Sequence, residues 1–133
     1  MIPKQRILEN LENLKQKIEE LNNKKIEIEE IINENGTAIK FSDGTLIQRG
    51  KVNCNTSGAG IIYFPIPFIN ADDINMTASN VYNSSDELGI IVTTQSDTTS
   101  VGVIYFRKYS NGVLTIVTDT NVVASWIAVG RWK

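Results

Sequence analysis

The side chains whose types could do chemistry in this chain are Tyr82, Asn83, Asp86 and Glu87, then Asp97, Arg107, Lys108, Tyr109 and Asn111, with Trp132 next to the C-terminus. Together they are the materials of a sugar-binding surface. An aromatic face covers the C–H side of a pyranose ring, and planar amides, carboxylates or a guanidinium give its hydroxyls direction. A plainer reading stands beside each. Tyr82 and Tyr109 also suit half-buried positions at the end of a sheet. Asp72-Asp73 and Asp86-Glu87 suit solvated turns, and Asp119 and Asn121 suit a turn that they shape themselves. Trp126 reads as core or subunit-interface packing. Trp132 has three placements open to it: an axis between subunits, packing against the N-terminal segment, or solvent and a ligand.

Bond-breaking chemistry is poorly supplied. Histidine is absent and Cys54 is the only cysteine, so Ser-His-Asp and Cys-His catalysis, the usual zinc ligand sets and an intrachain disulfide are all excluded. Asp43, Asp72, Asp73, Asp86, Glu87, Asp97 and Asp119 offer carboxylate pairs, but each has a turn or surface explanation, and a groove for a polymer usually needs a longer chain. We therefore expect no catalytic residues, no metal and no cofactor. A net charge of -2 with no basic block argues against nucleic acid. No apolar run approaches the roughly 20 residues that span a bilayer, so membrane insertion is not expected, and residues 1–10 do not read as a signal peptide. Cys54 behaves most simply as a small buried hydrophobe.

Two kinds of element must position these residues. Of the 13 Lys/Arg and 15 Asp/Glu, residues 1–35 hold 6 and 8, and this segment has neither Gly nor an aromatic residue. Its apolar positions step in heptads, with Ile7, Leu14, Leu21 and Ile28 at d and Leu11, Ile18, Lys25 and Ile32 at a. So narrow a stripe suits identical chains better than a broad core face. Leu at a and Ile at d shift the pattern from two strands toward three, and Lys25 weakens the seam locally while holding register. Helical from Lys4 to Glu34, the rod would be roughly 45 Å long. Asn35-Gly36 reads as its stop.

Beyond Gly36 the period changes to two. Strands are predicted near Thr37–Phe41, Thr45–Cys54, Gly60–Phe64, Asn75–Tyr82, Gly89–Gln95, Ser100–Tyr109, Val113–Val117 and Val123–Arg131. Asn111-Gly112 predicts a hairpin turn of the primed type, and Ser42-Asp43-Gly44 a similar one. Short strands at this spacing, with no helix between them, indicate an antiparallel sandwich or barrel.

The order of Leu46-Ile47-Gln48-Arg49-Gly50-Lys51-Val52-Asn53-Cys54, Gly60, Ile62-Tyr63-Phe64-Pro65-Ile66-Pro67-Phe68 and Ser125-Trp126-Ile127-Ala128-Val129-Gly130 resembles the H-type lectin family. Phage tail-fibre tips carry similar openings (Ile39-Lys40-Phe41-Ser42-Asp43-Gly44) and endings (Trp126-Ile127-Ala128-Val129-Gly130). The resemblance implies a trimeric, six-stranded antiparallel sandwich that binds surface sugars, preceded in fibres by a coiled coil. It also implies a place in the virion tail after synthesis in a bacterial cytoplasm. The lectins' early strand Arg and later Trp are replaced here by Gly89 and by Lys108 or Tyr109, and their acidic loop is shortened to Asn55–Ala59. Their sugar contacts therefore do not transfer residue by residue, and the extra hairpin Tyr109–Thr120 has no counterpart in them.

The expected fold class is thus mainly β with an N-terminal α-helix. Residues 1–35 form a trimeric parallel coiled coil, and residues 36–133 an H-type lectin-like antiparallel β-sandwich. The expected partners are two further copies, a bacterial surface glycan and other tail proteins. The competing expectation is a purely structural capping or docking domain. A start straight into a helix at Pro3 suggests a longer parent or a partner upstream.

Overall fold

The computed structural model describes residues 3–80 and 90–133. Helix α1 spans Lys4–Lys24, all of it exposed, with Arg6 N–H bonding the Pro3 carbonyl at 3.0 Å. Asn22 and Asn23 are poor helix formers, and Lys25 is already extended (φ -65°, ψ 126°). The helix therefore stops ten residues before Glu34. Ile28–Asn33 is a strand, β1, paired antiparallel with β2, Gly36–Phe41. This corrects the heptad reading: Lys25 lies beyond the helix, while Ile28 and Ile32 belong to β1 and to no helical seam. The physical reason is a shared spacing. Residues four apart lie on one face of a helix and equally on one face of a strand. What decides is Ile31, at neither a nor d, which packs against the core opposite buried Ala38. The residues 1–35 and 36–133 are likewise not separate units in the fold, because the β1–β2 hairpin crosses that line. Gly36 ends no helix. It leaves the hairpin turn at φ +137°, and a Cβ there would collide with the Arg49 carbonyl oxygen.

Seven further strands follow: β3 Thr45–Asn53, β4 Ala59–Tyr63, β5 Asn75–Asn80, β6 Ile91–Ser96, β7 Val101–Ser110, β8 Val113–Ile116 and β9 Val123–Arg131. One antiparallel sheet runs β1-β2-β3-β9-β5; the other runs β4-β7-β6, with β8 also paired to β7. The five-plus-four arrangement exceeds the six strands that the lectin resemblance implied. Inward side chains of both sheets share one core, built on Leu46, Ile62, Phe64, Phe68, Ile104, Phe106, Val117, Val122 and Trp126. Phe64 sits edge-on to Phe68 and Trp126 at 5.0 and 5.7 Å between ring centres. Each such side chain stabilises the fold by roughly 1.5–3 kcal/mol through removal of its surface from water. Gln48 is the buried polar exception, exchanging bonds with both backbone groups of Ile66 at 2.9 and 3.0 Å. Cys54 is buried as expected, with Sγ 3.2 Å from the Val117 carbonyl oxygen.

Register gives the head two ends. At one lie the start of β1, the β2–β3 turn and the C-terminus; Glu27 and Ser42 pin the chain there with backbone and side-chain bonds of 2.9 Å. At the other lie the β1–β2 turn, the end of β3, the β7–β8 turn and the ends of β5 and β6 that flank residues 81–90. Along β3 these ends are roughly 26 Å apart, at about 3.3 Å per residue. The helix joins at the first end.

Candidate functional site

Of the residues expected to touch a sugar, Arg107, Lys108, Tyr109 and Asn111 share one hairpin at the end remote from the helix. Asn111 and Gly112 have φ +52° and +79°, the primed turn that matches the twist of β7 and β8. Arg107 is committed to the fold. Its guanidinium donates to the carbonyls of Gly58 and Phe106 at 3.0 and 2.9 Å and lies 5.4 Å from the Tyr105 ring, which ties the β3–β4 loop to the sheet. Lys108 alternates to the other side and is half-buried. Tyr109 is 63% exposed opposite Leu114, beside exposed Val113 and Ile116. Tyr82, Asn83 and Asp86 lie outside the described residues.

Trp132 is not with them. At the helix end of the head its indole N–H donates to the Phe41 carbonyl at 2.8 Å, its backbone N–H bonds the Gly44 carbonyl, and the ammonium groups of Lys40 and Lys133 stand 4.0 and 4.8 Å from its rings. Within one chain these bonds clamp the C-terminus onto β2 and leave the Trp132 side chain half-buried. Beside it, Asp43 accepts from Thr45 N–H at 2.9 Å. That bond, with Arg131 and Lys133 nearby, lowers the Asp43 carboxyl from its ordinary range. The candidate set is therefore split between opposite ends of the head.

The structure adds a site that the sequence reading missed. On the outward face of the five-stranded sheet, toward the remote end, Thr37, Arg49, Lys51, Ser125 and Ile127 border a cleft of about 340 Å3. β2 ends at Gly36, so β3 runs on uncovered past Arg49, and Gly50 opposite Trp126 leaves room for the indole, which a Cβ would approach to 2.9 Å. The sequence signal was Arg49-Gly50-Lys51, two cations on one side of a strand. Among the described residues no carboxylate is in salt-bridge contact with either. A smaller cleft beside it is bordered by Glu34, Asn35, Lys51 and Tyr63. Among the described residues, no three His, Cys, Asp or Glu side chains are grouped to hold a metal ion, and no helix is long and apolar enough to cross a membrane.

A protein family described as "Putative tail fiber protein gp53-like, C-terminal" matches residues 40–131, from within β2 to the end of β9. The chain belongs to this tail-fibre family. Two solved structures share the fold: an N-truncated R2-type pyocin tail fibre, and a C-terminal part of the R2 pyocin fibre of P. aeruginosa. Both have a TM-score of 0.58 and 21% identity over 79% of this chain, which spans 38% and 26% of their lengths. No curated protein matches. The expected phage-type tail-fibre C-terminal domain is thus what this chain is, and its place is in a virion tail. The tail-fibre head carries its exposed polar and aromatic hairpin at one end and its helix at the other.

Proposed function

We propose that this tail-fibre domain is a non-catalytic host-attachment tip, in which α1 winds three copies into a parallel coiled coil and three heads bind a bacterial cell-surface carbohydrate. The observation that carries the reading is the division of ends. The helix, exposed throughout, leaves Ile7, Leu11, Leu14, Ile18 and Leu21 without cover, and it enters the head opposite the β7–β8 hairpin. Most helical stability comes from packing an apolar face, and a seam of this kind on a 21-residue helix is satisfied by its own copies. Each head would make a shallow contact, and three on one axis raise the effective concentration of the second and third contacts. Sedimentation equilibrium of the full chain should give three subunits, and fluorescently labelled protein should adsorb to host cells. A monomer removes the coiled coil, and absence of adsorption removes attachment.

A second reading has its own support. Val113, Leu114 and Ile116 are exposed on the same hairpin as Tyr109, an aliphatic surface that suits docking onto another tail protein. A purified chain that fails to adsorb, with assembly into the fibre lost in Leu114→Glu, would favour it.

A further inference from the structure

Arg49 and Lys51 stand two residues apart on β3, so both leave the same face of the sheet, and both are exposed. Thr37 on β2 and Ser125 on β9 flank them: Thr37 lies opposite Arg49, and Ser125 opposite Lys51. Two cations and two hydroxyls thus border one cleft, whose lining of eight residues contains no acid, with Ile127 as its apolar wall. Glu34 faces Lys51 only from the smaller neighbouring cleft. Like charges held this close repel each other, and an anion between them turns that repulsion into two charge-assisted bonds. Residues 36–133 hold 7 cations and 7 anions in all, so the positive potential is local to this cleft and not a field spread over the head. A local pair engages one anionic group of a glycan at a time.

We infer that the Arg49–Lys51 cleft binds the anionic group of a cell-envelope glycan, a phosphodiester or a uronate carboxylate, with Thr37 and Ser125 bonding its oxygens or the adjacent hydroxyls. This rests on the attachment reading and names the ligand class for it. Arg49 supplies a planar fork for two oxygens, Lys51 a point charge, and Ile127 meets the apolar side of the sugar.

The test uses the full chain and two probes, poly(glycerol phosphate) and polygalacturonate, in a titration followed by tryptophan fluorescence and repeated at about 0.05 and 0.5 M salt. Binding to either probe should weaken at least tenfold in Arg49→Ala/Lys51→Ala, weaken with salt, and persist in Tyr109→Ala. Preference for the first probe assigns a phosphodiester, and for the second a carboxylate. Binding to neither, or equal binding by the double variant, overturns the inference. Melting temperature measured in parallel identifies a folding defect, and if one appears, Lys51→Gln alone, at an exposed position, decides the matter by the same criterion. Adsorption to host cells separates the two levels of the argument. If wild type and double variant adsorb equally, this cleft is not the site but the attachment reading stands; if neither adsorbs, both fall.

Discussion

The helix and the head solve the same problem in opposite ways. The head turns its apolar side chains inward, and Leu46, Ile104, Phe106 and Trp126 are at most 1% exposed. The helix turns its apolar side chains outward, and Leu21 remains 68% exposed. On the proposed reading, the head is the element stable by itself and the helix the element stabilised through copies. Stability measurements on the two regions should therefore respond to different variables: the head to temperature and denaturant alone, the helix to protein concentration as well.

The comparison breaks most visibly at the seam. Replacing Leu14 and Leu21 by Asn removes two large apolar contacts per chain, roughly 3–6 kcal/mol if both are buried in a trimer. Sedimentation should then give monomers and far-ultraviolet circular dichroism should lose helix, while the head melts at an unchanged temperature. Unchanged mass would mean that the seam does not associate. The converse change is Trp126→Ala, which leaves a cavity against Phe64 and above Gly50 and should cost the head about 3–5 kcal/mol by denaturant titration. Association through the helix should survive it. If one substitution disturbs both regions, the division between them is false.

Where the two regions meet, sequence was least informative. The eight strands expected after Gly36 are present, most within a residue or two of their predicted ends, apart from the ends at Tyr82 and Gly89, which lie outside the described residues; alternation and the Asn111-Gly112 turn leave little choice. β1 was hidden because Ile28 and Ile32 continue the heptad count of a real helix. The competing signal was there, in the alternation Ile26-Glu27-Ile28-Glu29, but four residues of period two are outweighed by three heptads. The candidate site was harder to read. Arg107 looked like a ligand contact, yet its target is the Gly58 carbonyl, 49 residues away in sequence and visible only after folding. The placement of Trp132 was left open for the same reason: its partner, the Phe41 carbonyl, belongs to a strand 91 residues earlier. Arg49 and Lys51 matter through Thr37 and Ser125, and that neighbourhood is made by pairing three strands.

Gly36 sharpens the boundary on a smaller scale. At φ +137° a side chain is strained whatever its size, and here it also meets the Arg49 carbonyl. Gly36→Ala should destabilise the head by about 1–3 kcal/mol, seen as a lower midpoint in urea, with subunit number unchanged. An unaffected midpoint would mean that the β1–β2 hairpin is not integral to the head and that the structured region starts at β2.

The smallest effect lies at the opposite end, where Asp43 fastens the β2–β3 turn. Its carboxylate accepts the Thr45 N–H, and Arg131, which also donates to the Asp43 carbonyl at 2.8 Å, favours the charged form. A carboxyl whose value is lowered by folding binds protons more readily when unfolded. Its contribution is therefore complete above the ordinary value of 3.8 and is lost as pH falls through the lower folded value. In Asp43→Asn the amide oxygen can still accept from Thr45, but nothing titrates. The gap in melting temperature between wild type and this variant should be small at pH 6 and close further below pH 4. Because the group is fully exposed, salt should narrow the gap as well. A gap that is constant with pH would assign the turn to the amide-like geometry alone. Either way the head should respond and the helix should not, since α1 is not packed extensively against any strand of the head.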